Sequence, residues 1–424
     1  MSSPFRLIAR NIKYHHFCLI LGVSFLLSAC TGGGIENQNN RLETMNTPTP
    51  LTTSIVEPTI TPSESRETST PLEEEPPPAG ATREFSTDFT LHSVPYSEIF
   101  TGGPPKDGIP PIDQPHFANV DLASEWLEPV EPVVLVQVGE ESRAYPLQIL
   151  TWHEIVNDTV GGLPLVITFC PLCNTGIAFE RQVDDRVLDF GTTGRLRYSN
   201  LIMYDRQTET WWQQATGEAI VGELLGKQLS FYPAAIISWE EFRSAYPNGL
   251  VLSRETGFSR PYGENPYIGY DDVNNYPFLY RGPGTPDALP AVARVLTVDL
   301  EEEAVAYPYD VLEEIGVVND TIAGEDIVIF WQPGTASALD ASHIAAGRDI
   351  GAANAYFRTL ESRGLSFRLR DQRILDDQTG SEWNLLGQAI AGELQGKQLE
   401  PVVAINHFWF SWAAFRPETR IYHP

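Results

Sequence analysis

The chain has 424 residues, of which 28 are basic and 56 acidic, so its formal charge at pH 7 is −28. Nucleic-acid binding needs clusters of Lys and Arg against the phosphates, and an acidic excess of this size argues against that class of protein. The same charge favours a solvent-exposed body that does not repel a metal cation or a cationic partner.

The N-terminus, residues 1–29, has the pattern of a targeting segment. Basic residues precede an apolar run from Phe17 to Leu27 that is too short to span a bilayer comfortably. The letters LSAC end at Cys30, and small residues before a cysteine resemble a bacterial lipoprotein signal in which Cys30 becomes the lipidated residue. An ordinary secretory signal or a short anchor is the alternative. The pattern predicts an extracytoplasmic protein that is attached to the cell membrane by lipid.

Residues 30–90 have the composition of an unfolded tether. They are rich in Thr, Pro, Ser and Glu, and such a segment cannot bury enough apolar surface to offset its ordering entropy. We predict a solvated, partly extended linker that lifts the folded body off the membrane. The folded body is expected to begin near Leu91, and its roughly 330 residues are enough to bury a core without disulfides.

Several motifs of the body occur twice. They are AYP at 144–146 and 306–308, VNDT at 156–159 and 318–321, and GEAIVGELLGKQL at 217–229 with GQAIAGELQGKQL at 387–399. The first two recur at an offset of 162 residues (306 − 144 and 318 − 156), and the third recurs at 170 (387 − 217). We therefore predict an internally duplicated unit, with a first half at 91–254, a connector at 255–290 and a second, degenerate half at 291–424.

Short apolar runs rich in β-branched and aromatic residues, separated by Gly, Pro and Asn, predict many short strands. The predicted strands include 133–138, 177–181, 186–190, 196–204 and 228–232. Short helices are predicted at 239–245 and from 144–146, where AYP opens a helix, through Leu150 to Ile155. Strands dominate and helices are brief. The fold class is therefore predicted to be α+β or mostly β, with antiparallel sheets in both halves.

One stretch stands out for its chemistry, LVITFCPLCNTG at 165–176. A strand is predicted to deliver Cys170, and Cys173 follows on a tight turn. Cys18 would leave with the signal and Cys30 would carry lipid, so this pair holds the two thiols of the body. A disulfide that closes so short a loop would contribute only about 2 kcal/mol. Stability is therefore a weak reason for the pair to exist.

The second half provides an internal control for the site. At the offset of 162, the first-half residues Cys170, Cys173 and His153 align with Gln332, Thr335 and Ile315. We interpret residues confined to the first half as site residues and residues shared by both halves as architecture. The shared set comprises Tyr145, Pro146, Asn157, Asp158, and Trp212 with its counterpart Trp383.

The combination of GGPPKDGIP at 102–110, AYPLQILTWHEIVND at 144–158, TFCPLCNTG at 168–176 and FGTTGRLRYSNLIMYDRQTETWWQQ at 190–214 resembles a bacterial and archaeal family, domain of unknown function 3179. The resemblance runs from about residue 95 to the C-terminus. It implies no assigned activity, and it places His153, Cys170 and Cys173 inside signature blocks of the family, from which this sequence does not depart.

The first hypothesis for the site is a soft transition-metal ion, copper or zinc, because thiolates and imidazole are its preferred ligands. Met203 is a further candidate, since the body has no other methionine, although its strand position also suits a core residue. Glu154 or Asp158 would orient His153 through its second ring nitrogen. A buried structural histidine is the alternative for His153. The predicted ligands are thus Cys170, Cys173, His153 and Met203.

A second hypothesis is thiol–disulfide exchange, with His153 lowering a thiol pKa. The segment after the pair reads as strand, so the helix N-terminus that would favour a thiolate is not expected. A third hypothesis is a non-catalytic surface module in which Trp211, Arg206 and Tyr204 line a ligand groove. Phosphate-loop, Ser-His-Asp and HExxH patterns are absent from the sequence. Whether the protein is an enzyme, and which protein partner it has, stays open.

Overall fold

The computed structural model describes residues 75–301 and 303–424. This part of the chain is mostly β, with several antiparallel sheets and short helices, so the predicted fold class is confirmed. The predicted signal, Cys30 and most of the predicted tether lie outside the described residues. Among the described residues, no helix has both the length and the apolar character needed to cross a membrane.

The first half contains three main sheets and one short hairpin. Its strands are β1 (Ile99–Thr101), β2 (Phe117–Asn119), β3 (Pro132–Val138), β4 (Glu141–Pro146), β5 (Ile155–Val160), β6 (Leu163–Cys170), β7 (Thr175–Glu180), β8 (Gln182–Val183), β9 (Arg186–Val187), β10 (Phe190–Arg197), β11 (Asn200–Asp205), β12 (Trp211–Gln213), β13 (Glu218–Val221), β14 (Phe231–Tyr232), β15 (Ala234–Ser238) and β16 (Leu250–Leu252). The strand orders are β1-β10-β11-β12-β13, β14-β7-β6-β5 and β15-β3-β4-β16-β2, and β8 pairs with β9.

The second half is built in a similar way. Its strands are β17 (Arg294–Leu300), β18 (Glu303–Pro308), β19 (Val317–Ile322), β20 (Glu325–Gln332), β21 (Ala352–Phe357), β22 (Thr359–Leu360), β23 (Arg363–Gly364), β24 (Phe367–Arg370), β25 (Arg373–Asp376), β26 (Glu382–Trp383), β27 (Ala389–Ala391), β28 (Ala404–Phe408) and β29 (Arg420–Ile421). The strand orders are β28-β17-β18-β29, β19-β20-β21 and β24-β25-β26-β27, and β22 pairs with β23.

Short helices lie between the strands. The α-helices are α1 (Ala81–Glu84), α2 (Val120–Ala123), α3 (Leu147–His153), α4 (Trp239–Ala245), α5 (Tyr309–Ile315) and α6 (Trp409–Ala413), and 3₁₀ turns span Tyr96–Glu98, Pro171–Cys173 and Ile344–Ala346. A capping box starts α4, where Ser238 and Glu241 each accept from the other's backbone N–H. Both helices predicted from the first-half sequence are therefore present.

The two halves share strand order. In the sheet β15-β3-β4-β16 the first three strands are antiparallel and β4 pairs with β16 in parallel. In the sheet β28-β17-β18-β29 the arrangement is the same, and β18 pairs with β29 in parallel. This correspondence in topology is what a repeated unit would produce.

The residues that the halves share make the same hydrogen bonds in each. The Tyr145 hydroxyl donates to Asp158 at 2.6 Å, and the equivalent Tyr307 donates to Asp320 at 2.7 Å. Indole N–H groups donate to buried carboxylates at 3.0 Å in both halves, from Trp212 to Asp205 and from Trp383 to Asp376. These contacts support interpreting the shared residues as architecture.

Two boundaries differ from the predictions. The predicted strand at 196–204 is a hairpin, because Tyr198 and Ser199 adopt positive φ values of 54° and 65° and reverse the chain between β10 and β11. The folded body also begins before Leu91. Phe85, only 6% exposed, packs in a hydrophobic cluster with Trp211, so the end of the predicted tether belongs to the body.

Candidate functional site

The two cysteines lie on the turn between β6 and β7. Cys170 ends β6, the 3₁₀ turn Pro171–Cys173 follows, and Asn174 reverses the chain with φ of 50° before Thr175 begins β7 opposite Cys170. Local geometry therefore places both sulfurs at one sheet end. The predicted tight turn at a strand end is confirmed.

Both thiols are free and buried, with residue exposures of 2% for Cys170 and 0% for Cys173. The Ser199 carbonyl accepts from Cys173 Sγ at 3.4 Å and lies 3.9 Å from Cys170 Sγ. Asn200 Nδ2 donates to Cys173 Sγ at 3.5 Å. Burial raises the pKa of the Cys170 thiol, and the neighbouring Cys173 raises it further. The two sulfurs are thus held around one carbonyl oxygen, and the Cys170 thiol favours its neutral form.

A buried network of side-chain amides holds Asn200 in place. The Asn200 side chain donates to Gln214 Oε1 at 2.8 Å and accepts from the Gln213 side chain. Gln214 Nε2 donates in turn to Thr168 Oγ1 at 3.0 Å and to the Thr175 carbonyl at 3.2 Å. These bonds hold the amide that contacts Cys173 in one orientation.

Glu154 has a backbone conformation that its residue type rarely adopts. It caps α3 with φ of 57°, its N–H donates to Leu150 O at 2.7 Å, and its carbonyl accepts from Phe169 N at 2.8 Å. Gly316 makes the same two contacts in the second half, with φ of 68°, to Leu312 at 2.7 Å and Trp331 at 2.8 Å. The scaffold therefore accepts glycine at a position where the first half carries a glutamate.

The Glu154 carboxyl is buried within electrostatic range of Cys170. The residue is 8% exposed, and no donor among the described residues stabilises its charge. Burial raises the pKa of Glu154 well above its usual range, and a negative charge on Cys170 raises it further. Burial therefore favours the neutral form of both the Glu154 carboxyl and the Cys170 thiol.

His153 is engaged away from the thiols. The residue is fully buried; Nδ1 lies 2.7 Å from the Pro110 carbonyl and Nε2 lies 2.7 Å from the Tyr262 hydroxyl. Burial lowers the pKa of His153, which favours the neutral ring. The expectation that Glu154 or Asp158 would orient this ring is wrong, because both nitrogens have other partners. The structure shows the buried, hydrogen-bonded histidine that was the alternative.

The other predicted donors do not complete a metal site. Asp158 pairs with Arg143 and accepts from Tyr145, so it has a structural partner on each side. Met203 is fully buried in the hydrophobic cluster that also contains both cysteines, opposite Trp212 in the sheet. Within 75–301 and 303–424, no group of three or more His, Cys, Asp or Glu side chains is placed to hold a metal ion.

Two of the three residues predicted to line a ligand groove, Trp211 and Tyr204, are buried. Trp211 is fully buried, with the rings of Phe85 and Phe89 packed edge-on at 5.2 and 5.3 Å between centroids. Tyr204 is buried and donates to Asp107 at 2.6 Å, and Arg206 pairs with Asp107 at 2.9 Å. The segment before Leu91 thus covers the rings of Trp211 and Tyr204, whereas Arg206 is exposed.

Residues far away in sequence complete the site. Tyr267 and Tyr270 of the connector pack against the cysteine cluster, and the Tyr270 hydroxyl donates to Leu172 O at 2.8 Å. His407 of β28 is fully buried, with Nδ1 2.9 Å from Thr175 Oγ1, and burial lowers its pKa to about 3. Sequence analysis missed all three. The signal for His407 was present, because position 237, at the offset of 170, is isoleucine.

Comparison with known proteins identifies a family without an assigned activity. A family model described as Protein of unknown function (DUF3179) matches residues 106–419, which is 314 residues (419 − 106 + 1). No curated protein and no solved structure matches the chain. The matched region includes the cysteine turn, Glu154, the connector tyrosines and His407.

Proposed function

We propose that Cys170 and Cys173 form a dithiol–disulfide redox couple in this chain, which belongs to the family of proteins of unknown function DUF3179. One observation carries the proposal: two free thiols share the Ser199 carbonyl at 3.9 and 3.4 Å. The absence of a three-ligand group in the described part of the chain makes a metal centre the weaker alternative.

The redox step balances as a thiol–disulfide exchange. Cys170 and Cys173 lose two protons and two electrons and form one S–S bond, and an acceptor disulfide R–S–S–R′ is reduced to two thiols. The attacking species is a thiolate, so the Cys170 proton must leave first. In its ionised form, Glu154 would accept this proton and pass it to the thiolate that leaves when the acceptor disulfide is broken.

Burial makes this couple slow rather than freely reactive. Both sulfurs lie in a hydrophobic cluster against which Tyr267 and Tyr270 pack. A disulfide acceptor must therefore displace part of the connector to reach either sulfur. This property suits a thiol pair that reacts with a selected acceptor instead of with every disulfide in its surroundings.

The proposal is tested on the full chain in detergent, equilibrated in buffers of graded reduced and oxidised dithiothreitol. Alkylation in denaturant followed by mass spectrometry counts the free thiols. We expect Cys170 and Cys173 to oxidise together, and we expect Cys170→Ser and Cys173→Ser to abolish that transition. Glu154→Gln should slow the oxidation without changing the number of thiols that react, because the proton acceptor is lost.

Two outcomes would contradict the redox couple. The first is a pair that stays reduced in every buffer. The second is stoichiometric copper or zinc in the purified protein that disappears in Cys170→Ser, which would restore the metal hypothesis.

We further propose that Cys30 carries lipid and anchors the protein to the outer side of the cell membrane, with the body on a tether. The support is the sequence LSAC after a short apolar run. Cys30→Ala is expected to remove the lipid mass and to move the protein from the detergent phase to the aqueous phase. A Cys30→Ala variant that stays in the detergent phase would overturn the lipid anchor.

A further inference from the structure

Two clefts lie where the halves meet, and their linings occupy matched positions of the two halves. The larger has a volume of about 320 Å³ and the smaller about 180 Å³. Each takes residues from both halves. Matched lining residues, larger cleft first, are Gln137 with Asp299, Gly139 with Glu301, and Tyr246 with Arg416.

Backbone contacts establish the match. Gln137 lies opposite Ser142 in the β3–β4 pair, and Asp299 lies opposite Ala304 in the β17–β18 pair. Each residue of the second pair is 162 positions after its counterpart in the first pair. Tyr246 and Arg416 follow α4 and α6, and their N–H groups donate to Phe242 O and Trp412 O respectively. The clefts are therefore equivalent places in one scaffold.

The two clefts differ in the charge of their lining residues. In the smaller cleft Arg416 Nε donates to Asp299 at 2.9 Å as an ion pair, with Glu301 beside them. In the larger cleft the Tyr246 hydroxyl donates to Gln137 Oε1 at 2.9 Å. No lining residue of the larger cleft, all of which lie in the described part of the chain, is charged. An ionic ligand would enter this cleft without a counter-charge, which is unfavourable.

The larger cleft is also more open at matched positions. Gly139 stands where the smaller cleft has Glu301. Phe415 lines the smaller cleft, and the residue at its matched position, 245, is alanine. Smaller side chains thus leave space in one cleft that bulky or charged side chains fill in the other.

Neutral polar groups and aromatic rings line the open cleft. Tyr356 and Pro401 form an antiparallel backbone bridge, and Phe179 and Phe231 form the equivalent pair in the first half. Tyr356, which lines the larger cleft, is therefore the counterpart of a phenylalanine. The Tyr356 hydroxyl donates to Leu385 O at 2.9 Å, and Tyr232 donates to Gln137 O at 2.8 Å. The half-buried Tyr232 hydroxyl can also accept a hydrogen bond from a ligand.

From this contrast we propose that the larger cleft binds a neutral saccharide. Its volume is within the range of small-molecule sites, roughly 300–1,000 Å³. Tyrosine rings offer apolar faces for the C–H faces of a sugar, while amide and hydroxyl groups bond its hydroxyls. The proposal is independent of the thiol pair.

Calorimetric titration of the full chain with maltotriose, cellotriose and triacetylchitotriose tests the saccharide site. We expect at least one of these sugars to bind. The double change Gln137→Asp with Tyr246→Arg, which transplants the ion pair of the smaller cleft, should weaken that sugar at least about tenfold. Arg416→Ala, in the smaller cleft, should leave its affinity unchanged.

Tyr246→Phe tests the cleft without adding charge. It removes only the hydroxyl, so a correctly folded variant, judged by its melting temperature, should bind the sugar more weakly than wild type. Three results would overturn the proposal: no binding of any of these sugars at millimolar concentration, equal weakening by Arg416→Ala, or tighter binding of the anionic sugar glucuronate than of the neutral sugars.

Discussion

Replacing Glu154 with glycine is expected to raise the free energy of unfolding by about 2 kcal/mol. The gain has two sources. Glutamate occupies a left-handed conformation, φ of 57°, that glycine adopts without steric cost. The substitution also removes a carboxyl that is buried without a stabilising donor among the described residues. Chemical unfolding of wild type and variant at neutral pH measures the difference.

Two further variants separate the sources of this gain. Glu154→Ala removes the carboxyl but keeps a Cβ in the left-handed conformation, so it should recover only part of the stabilisation. Gly316→Ala should destabilise the matched position, because its φ is 68° and a Cβ there would lie 2.6 Å from Leu369 Cδ2. If Glu154→Gly is less stable than wild type, the carboxyl has a stabilising role that the structure does not reveal.

A stabilised Glu154→Gly variant should also lose function. Strained or unfavourable residues persist when they contribute to activity, and stabilising them commonly reduces that activity. We therefore expect the glycine variant to oxidise its thiols more slowly than wild type while it unfolds at higher denaturant concentration. A variant that is both more stable and equally fast would remove Glu154 from the proposed redox step.

Lowering the pH from 7 to 5 is expected to cost about 2 kcal/mol of stability through His407 alone. Burial lowers the pKa of His407 from 6.5 to about 3 in the folded protein. As the pH falls below 6.5 the unfolded chain takes up a proton on this residue, whereas the folded chain cannot until about pH 3. The stability from the neutral ring is therefore complete above pH 6.5 and is lost progressively between 6.5 and 3.

The measurement compares the pH dependence of unfolding free energy in wild type and His407→Ile, which installs the residue of the matched position 237. The difference between the two curves isolates His407 from buried acids such as Glu241, whose pKa is raised to about 7 and whose effect has the opposite sign. Thr175→Val removes the partner of Nδ1 but keeps the ring buried, so it should retain the slope. Parallel curves for wild type and His407→Ile would show that the ring is accessible to protons in the folded state.

Local features of the site followed from the sequence. The apolar run before Cys170 and the Pro and Asn around the pair determined a strand, a 3₁₀ turn and a second strand, because each depends on residues only a few positions apart. The same holds for the helices and for the shared motifs, whose hydrogen bonds recur in both halves. Comparison of the halves also singled out the cysteines without an alignment.

Which side chains meet around that turn was decided only by the tertiary structure. His153, like the two cysteines, lies in a signature block of the family. Its ring nitrogens nevertheless contact Pro110 and Tyr262 instead of a thiol. Thr175 and His407 are 232 residues apart in the chain and 2.9 Å apart in space. Such pairs depend on how whole sheets pack, since burial of distant apolar faces selects the arrangement, and no local pattern encodes it.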